Sequence, residues 1–93
     1  MALRAYRNRR DANEQAIFTA LKGLGAQVYP LNKPCDALIC FKGRVRLIEV
    51  KTLKGKLTPS QTLFASIWPM HIIRSPEEAI DFILKLSQAA HDS

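Results

Sequence analysis

The chain has 93 residues, of which 47% are hydrophobic and 24% are charged, and it carries a formal net charge of +6 at pH 7. These values suit one domain with a buried core, and they exclude a multidomain enzyme, a disordered chain and, with two cysteines, a disulfide framework. The basic excess points to a polyanionic partner, nucleic acid before an acidic membrane surface. No apolar run approaches the roughly 20 residues that span a bilayer, and the basic N-terminus leads into no apolar signal core. We therefore expect a cytoplasmic protein without membrane contact.

The first half of the chain predicts a helix followed by three strands. Apolar residues at helical spacing end at Gly23 and Gly25, and Lys42-Gly43 predicts a tight turn that joins two strands into a hairpin. In chain order we expect a basic arm over residues 1–10, a helix from Asp11 to Leu24, and strands over Ala26–Leu31, Asp36–Phe41 and Arg44–Lys51.

The second half predicts a helix, a strand and a helix. Thr58-Pro59-Ser60-Gln61 matches a capping box with proline at the first helical position, and this helix should run to about Ile67. A short buried strand over Met70–Ile73 and a last helix of about three turns opening at Ser75 follow, with a frayed tail over residues 89–93. The order predicts one α/β domain, bordering on α+β, over residues 11–88, with helices packed on a mixed sheet.

Glu49 and Lys51 are charged residues at the end of the third predicted strand. They follow the apolar residues Val45, Leu47 and Ile48. Alternation along a strand places Glu49 and Lys51 on the same face. One interpretation is a polar strand end that emerges into solvent with a surface ion pair. The other is a buried site that uses both charges.

Asp36 opens the preceding strand, thirteen positions before Glu49. Antiparallel pairing across the Lys42-Gly43 turn should bring the two carboxylates side by side, where they repel each other unless a cation lies between them. Mg²⁺ takes such oxygen ligands. The alternative is that Asp36 serves only as a turn residue after Pro34.

Glu14 and Gln61 have two interpretations each. Glu14 lies in the apolar stripe of the first helix and should face the sheet, but Asp11-Ala12-Asn13-Glu14 also matches a capping box. The capping box at Thr58 is by itself a sufficient explanation of Gln61.

These residues resemble a known superfamily. Asp36, followed after a hairpin by Glu49-Val50-Lys51 on this order of elements, resembles the PD-(D/E)XK nucleases, and Cys35 stands where the motif's name has a proline. Glu14 and the Leu57–Gln61 segment narrow the likeness to the small virus-type VRR-NUC nucleases and the archaeal-type Holliday junction resolvases, which are enzymes of DNA repair.

The resemblance implies a restriction endonuclease-like fold and a role for each matching residue. Asp36 and Glu49, with the Val50 carbonyl, would bind Mg²⁺ or Mn²⁺, and Lys51 would orient or deprotonate the attacking water. Glu14 would complete the outer metal shell or a second metal position, and Gln61 would support the water or Lys51. No small-molecule cofactor is implied.

Basic residues flank the candidate site in the sequence, and together with the net charge they favour contacts with phosphates. They are Arg7, Arg9, Arg10, Arg44, Arg46, Lys54 and Lys56.

We therefore expect a metal-dependent deoxyribonuclease that cuts branched or otherwise structured DNA. Apolar residues on the last two helices, and the need for two coordinated cuts in a junction, favour a homodimer without indicating which helix forms the contact. Two alternatives remain: a non-catalytic or partner-dependent nucleic-acid-binding module with a nuclease fold, and a basic RNA-binding domain with a fortuitous Glu-x-Lys.

Overall fold

A computed structural model describes the backbone of residues 2–92 and the side chains of residues 12–88. Its element order of helix, three strands, helix, strand and helix confirms the predicted α/β fold. The elements are α1 (Ala2–Gly23), β1 (Gln27–Pro30), β2 (Ala37–Phe41), β3 (Arg44–Val50), α2 (Pro59–Ile67), β4 (His71–Ile73) and α3 (Pro76–Asp92). Within the described part of the chain, no helix is long and apolar enough to cross a membrane.

The sheet is mixed, with strand order β1-β2-β3-β4. The first three strands form an antiparallel meander, and β4 pairs in parallel with β3. Parallel neighbours need a crossover connection, and α2 lies in that connection. At the β2–β3 turn, Lys42 and Gly43 have φ values of 49° and 80°. Positive φ at both central residues is typical of the type I′ turn, whose twist matches that of the flanking strands.

One face of the sheet is covered and the other is largely open. Side chains alternate along each strand, so one face collects the buried apolar residues of β2 and β3, and α1 and α3 pack against that face. The core comprises Ile17, Leu21, Ala26, Ala37, Ile39, Phe41, Ile48, Val50, Ile73, Ala79, Ile83 and Leu86. The opposite face, which we call the open face, carries Leu38, Cys40, Val45 and Leu47, all half-buried or exposed, and, at the end of β3, the buried Glu49.

Helix α1 begins earlier than predicted. It starts at Ala2 and not at Asp11, because residues 2–10 contain good helix formers and neither glycine nor proline. The backbone of the predicted arm is therefore helical over residues 2–10. Asp11 falls inside the helix, so the capping-box interpretation of Asp11 and Glu14 is wrong.

Helix α3 is longer than predicted and continues to Asp92, so the backbone of the predicted tail is helical through that residue. The capping box at the start of α2 is confirmed, because the Gln61 N–H donates to Thr58 Oγ1 and the Thr58 N–H donates to Gln61 Oε1.

Gly25 ends α1 in a left-handed conformation, with φ of 99°. Its N–H donates to the Lys22 carbonyl and the Ala26 N–H donates to the Leu21 carbonyl, the two bonds of a Schellman motif. This motif turns the chain so that Ala26 joins the core and β1 starts beside β2.

We expect Gly25→Ala to lower the free energy of unfolding by about 1–2 kcal/mol, since an L-residue is strained in the left-handed region. Gly23→Ala is the matched control, because Gly23 is helical and a Cβ there would meet nothing within 4 Å. Urea denaturation of both variants measures the difference, and equal stability would contradict the strain argument.

Candidate active site

Glu49 is a buried carboxylate with two polar partners on one oxygen. Its exposed fraction is 1%. Lys51 Nζ lies 3.2 Å from Glu49 Oε2, and Gln61 Nε2 donates to the same oxygen at 2.7 Å. The prediction that Glu49 and Lys51 share a face is confirmed, and a strand end that emerges into solvent is wrong for Glu49.

Asp36 lies beside Glu49, as the hairpin predicted. The register pairs Ala37 with Ile48, and the Asp36 N–H donates to the Ile48 carbonyl at 3.1 Å, so Asp36 and Glu49 occupy the next position of the ladder. Asp36 is 6% exposed, and its Oδ2 accepts a hydrogen bond from the Val50 N–H at 2.7 Å. The side chain of Asp36 thus bridges two strands and does more than cap a turn.

The two carboxylates make the site electrostatically costly when both are charged. Burial raises the pKa of Glu49, and the negative charge of Asp36 raises this pKa further, while Lys51 and Gln61 act in the opposite direction. Burial removes the water that would otherwise stabilise the charged form. A cation near both carboxylates would reduce the repulsion between them.

The second oxygen of Glu49 has no hydrogen-bond partner among the side chains and backbone groups that the structure describes. Glu49 Oε1 is buried and receives no hydrogen bond from any described residue. Buried polar atoms are nearly always paired, so this oxygen is available to a water or to a cation shared with the neighbouring carboxylate. Oxygen donors of this kind fit Mg²⁺ or Mn²⁺.

Gln61 serves the cap of α2 and the candidate site together. Its backbone N–H and its Oε1 complete the capping box with Thr58, which leaves Nε2 for Glu49. The family resemblance implied contact with a water or with Lys51, whereas the structure shows a bond to Glu49. Gln61 can therefore cap α2 and contact the candidate site at the same time.

Glu14 does not join the other two acids in one cluster. It is half-buried and lines a surface cleft with Phe18, Lys22 and Pro30, and the described residues contain no group of three or more His, Cys, Asp or Glu that could hold a metal. Asn13, the neighbour of Glu14 on α1, does contact the site, since its Nδ2 donates to the Lys51 carbonyl at 3.4 Å.

The basic residues lie in separate places. Lys54 and Lys56 belong to the loop directly after Lys51, next to the acids. Arg44 and Arg46 lie at the other end of β3, about 10–16 Å from Glu49 at the usual rise per residue. The side chains of Arg7, Arg9 and Arg10 lie outside the described residues.

Arg74 is a residue that the sequence did not single out. It follows β4, and its Nη1 donates to the carbonyls of Thr52 at 2.8 Å and Gly55 at 2.6 Å, with Leu53 at 3.4 Å. The guanidinium therefore holds the loop that carries Lys54 and Lys56. No local pattern marks this role, because it depends on the parallel pairing that brings the end of β4 beside the end of β3.

Comparisons with known proteins add no relative. No family model, curated protein or solved structure matches the chain. The likeness to PD-(D/E)XK nucleases consequently rests on the residues of this chain and on their arrangement.

The raised pKa of Glu49 predicts how stability depends on pH without added metal. The folded state favours protonated Glu49 more than the unfolded state does. Glu49 therefore contributes most to folding stability below its ordinary pKa of 4.5, and this contribution is lost as pH rises through the folded-state pKa. Relative to Glu49→Gln, the wild type should lose stability as pH rises above 4.5. Thermal unfolding of both proteins across this range, in a chelating buffer, measures the difference.

Adding Mn²⁺ at neutral pH should then raise the melting temperature of the wild type and not that of Glu49→Gln, since a ligand stabilises only the folded state that binds it. In the pH series without metal, wild type and Glu49→Gln whose melting temperatures change in parallel would contradict the assigned cost of burying Glu49.

Proposed function

We propose that this chain is a metal-dependent endonuclease that hydrolyses phosphodiester bonds in branched or otherwise structured DNA. The observation that carries the proposal is the buried Asp36–Glu49 pair, in which Glu49 Oε1 receives no hydrogen bond from any described residue. Because buried acceptors are nearly always paired, this oxygen supports a ligand at the position.

Asp36 and Glu49 would hold Mg²⁺ or Mn²⁺, with the Val50 carbonyl as a further oxygen ligand. A bound divalent ion lowers the pKa of a coordinated water and neutralises charge on the phosphate. The Val50 N–H already fixes Asp36 Oδ2, and Gln61 and Lys51 already fix Glu49 Oε2. The carboxylates are therefore oriented before any ion binds, which reduces the reorganisation that binding requires.

Lys51 would position the attacking water. Its ammonium lies beside Glu49, and its backbone is held on both sides, by its own N–H to the Ile73 carbonyl and by Asn13 on its carbonyl. A water held there can attack phosphorus while the P–O bond on the opposite side breaks. The hydroxyl joins phosphorus, and the water's proton ends on the departing oxygen. Glu14, on the neighbouring helix, would act at most from outside this set.

The DNA would lie along the loop after Lys51. Lys54 and Lys56 are exposed and follow the site directly, and Arg74 holds their backbone. Phosphate contacts are also proposed for Arg7, Arg9, Arg10, Arg44 and Arg46. We further propose that the DNA is selected by its shape, that two copies act together, and that the protein is cytoplasmic.

We expect Lys51→Ala to slow cleavage by about 10²- to 10⁴-fold, the usual contribution of a group that moves or holds a proton. Asp36→Asn should abolish cleavage and leave DNA binding intact, because it removes a ligand charge and keeps the shape of the side chain. The assay uses labelled duplex, flap, splayed-arm and four-way-junction DNA with Mg²⁺ or Mn²⁺.

Asp81→Asn is the matched control, because Asp81 pairs with Lys85 on the exposed surface of α3. This variant should cut DNA at the wild-type rate. Wild-type cleavage by Asp36→Asn would remove the proposed site. Binding without cleavage by the wild type on every substrate would instead favour the non-catalytic module.

Duplex binding should weaken steeply with salt, the logarithm of affinity changing by about 0.9 per phosphate contact for each tenfold change. Replacing Lys54 and Lys56 together by alanine should reduce that slope by about two. Lys85→Ala should leave the slope unchanged, because Asp81 already pairs with its charge. Fluorescence anisotropy over a salt series measures all three proteins, and an unchanged slope in the double variant would place the DNA elsewhere.

A further inference from the structure

Helix α2 has little support from the rest of the domain. None of its nine residues, all within the described part of the chain, is buried. Isolated helices shorter than about 12–15 residues are marginal in water. Its attachments include the capping box at Thr58 and the hydrogen bond from Gln61 to Glu49. The helix that positions Gln61 therefore has less apolar packing than usually stabilises a helix.

The surface of α2 combines an apolar ridge with an apolar groove. Leu63 and Ile67, one helical turn apart, form the ridge and are 65% and 64% exposed. The groove runs beside it on the open face, between the end of α2 and β3. Its apolar lining consists of Val45, Leu47, Phe64, Trp68 and Pro69.

The chemistry of this surface argues against nucleic acid as its occupant. Residues 57–73 contain no Asp, Glu, Lys or Arg, in a chain with a net charge of +6. Arg46 lies at the edge of the groove, where its Nη1 donates to the Val45 carbonyl at 2.8 Å. Burial lowers the pKa of His71, the other titratable residue lining the groove, and so does nearby Arg46. One cation on an apolar surface offers little to a phosphate backbone.

The same features fit a second copy of the chain. Two molecules that each carry +6 repel each other least where their surfaces are uncharged. A ridge and a groove side by side are self-complementary, since a two-fold axis can place each ridge in the partner's groove. Large exposed apolar patches mark such contacts.

We propose that a second copy of this chain docks on the α2 ridge and groove, and that this contact fixes α2 so that Gln61 is held against Glu49. The sequence favours a dimer without choosing between the last two helices, and the structure assigns the contact to α2. The consequence for catalysis rests on the proposed nuclease function, whereas the contact itself does not.

The contact is tested by the mass of the full chain in solution. Light scattering should report about twice 10.5 kDa for the wild type and the monomer mass for Leu63→Glu and Ile67→Glu. Both positions are exposed, so the variants should fold, and circular dichroism checks this. Leu84→Glu is the matched control, because Leu84 is 54% exposed on α3, and it should remain a dimer. Trp68 fluorescence should shift to the red when the wild type dissociates on dilution.

The coupling to the site is tested by metal binding and by activity. Leu63→Glu should weaken Mn²⁺ binding, measured by calorimetry, and should lower cleavage per chain by about tenfold to a hundredfold, the equivalent of losing one hydrogen bond to a charged group. Gln61→Ala should have a similar effect alone and little further effect in the Leu63→Glu background.

The outcomes separate the two proposals. A wild-type monomer at all concentrations, or a dimer broken by Leu84→Glu and not by Leu63→Glu, would overturn the α2 contact even if DNA is cut. Additive effects of Gln61→Ala and Leu63→Glu would overturn the coupling. A dimer that behaves as expected but never cuts DNA would retain the contact and remove the nuclease.

Discussion

The arrangement of this domain depends on keeping one carboxylate, Glu49, almost completely out of water beside a second one. An isolated buried charge of this kind is costly, and its attraction to partners must compensate for lost hydration. Two neighbouring segments each supply a partner: Lys51 directly follows β3, and Gln61 belongs to α2. Asp36 is stabilised in turn by the backbone of Val50. Among the described residues these groups leave one oxygen of Glu49 without a hydrogen bond.

The parallel strand β4 connects this site to the rest of the domain. The carbonyl of Ile73, the last residue of β4, accepts a hydrogen bond from the Lys51 N–H. The next residue, Arg74, holds the loop that follows Lys51. The Arg74 N–H also donates to Glu78 at the start of α3. Lys51 lies one residue beyond the end of β3. Its position and that of the following loop are therefore defined by β4 and by Arg74, which α3 holds in turn.

Local patterns in the sequence predicted the parts of this site that depend on short-range geometry. The tight turn and the alternation of β2 and β3 were sufficient to place Asp36 beside Glu49, and the capping box located the start of α2. The bond from Gln61 to Glu49 could not be derived, because it depends on where the crossover helix lies over the sheet. Asn13 and Arg74 were missed because their contacts depend on where α1 and β4 lie relative to the end of β3. The start of α1 was wrong because Asp11-Ala12-Asn13-Glu14 has the residues of a cap, while the arginine-rich residues before it also favour helix.

The turn at Lys42 and Gly43 limits how the length of this chain can change. Five residue pairs separate it from Asp36 and Glu49, yet it sets which residues of β2 and β3 face each other. One residue inserted there and absorbed as a shift of register would exchange the two faces of a strand, since side chains alternate with a period of two. Asp36 would then leave Glu49 although no residue of the site had changed. Among chains of this architecture, an intact set of acids and lysine would indicate a working site only where the length of this hairpin is also preserved.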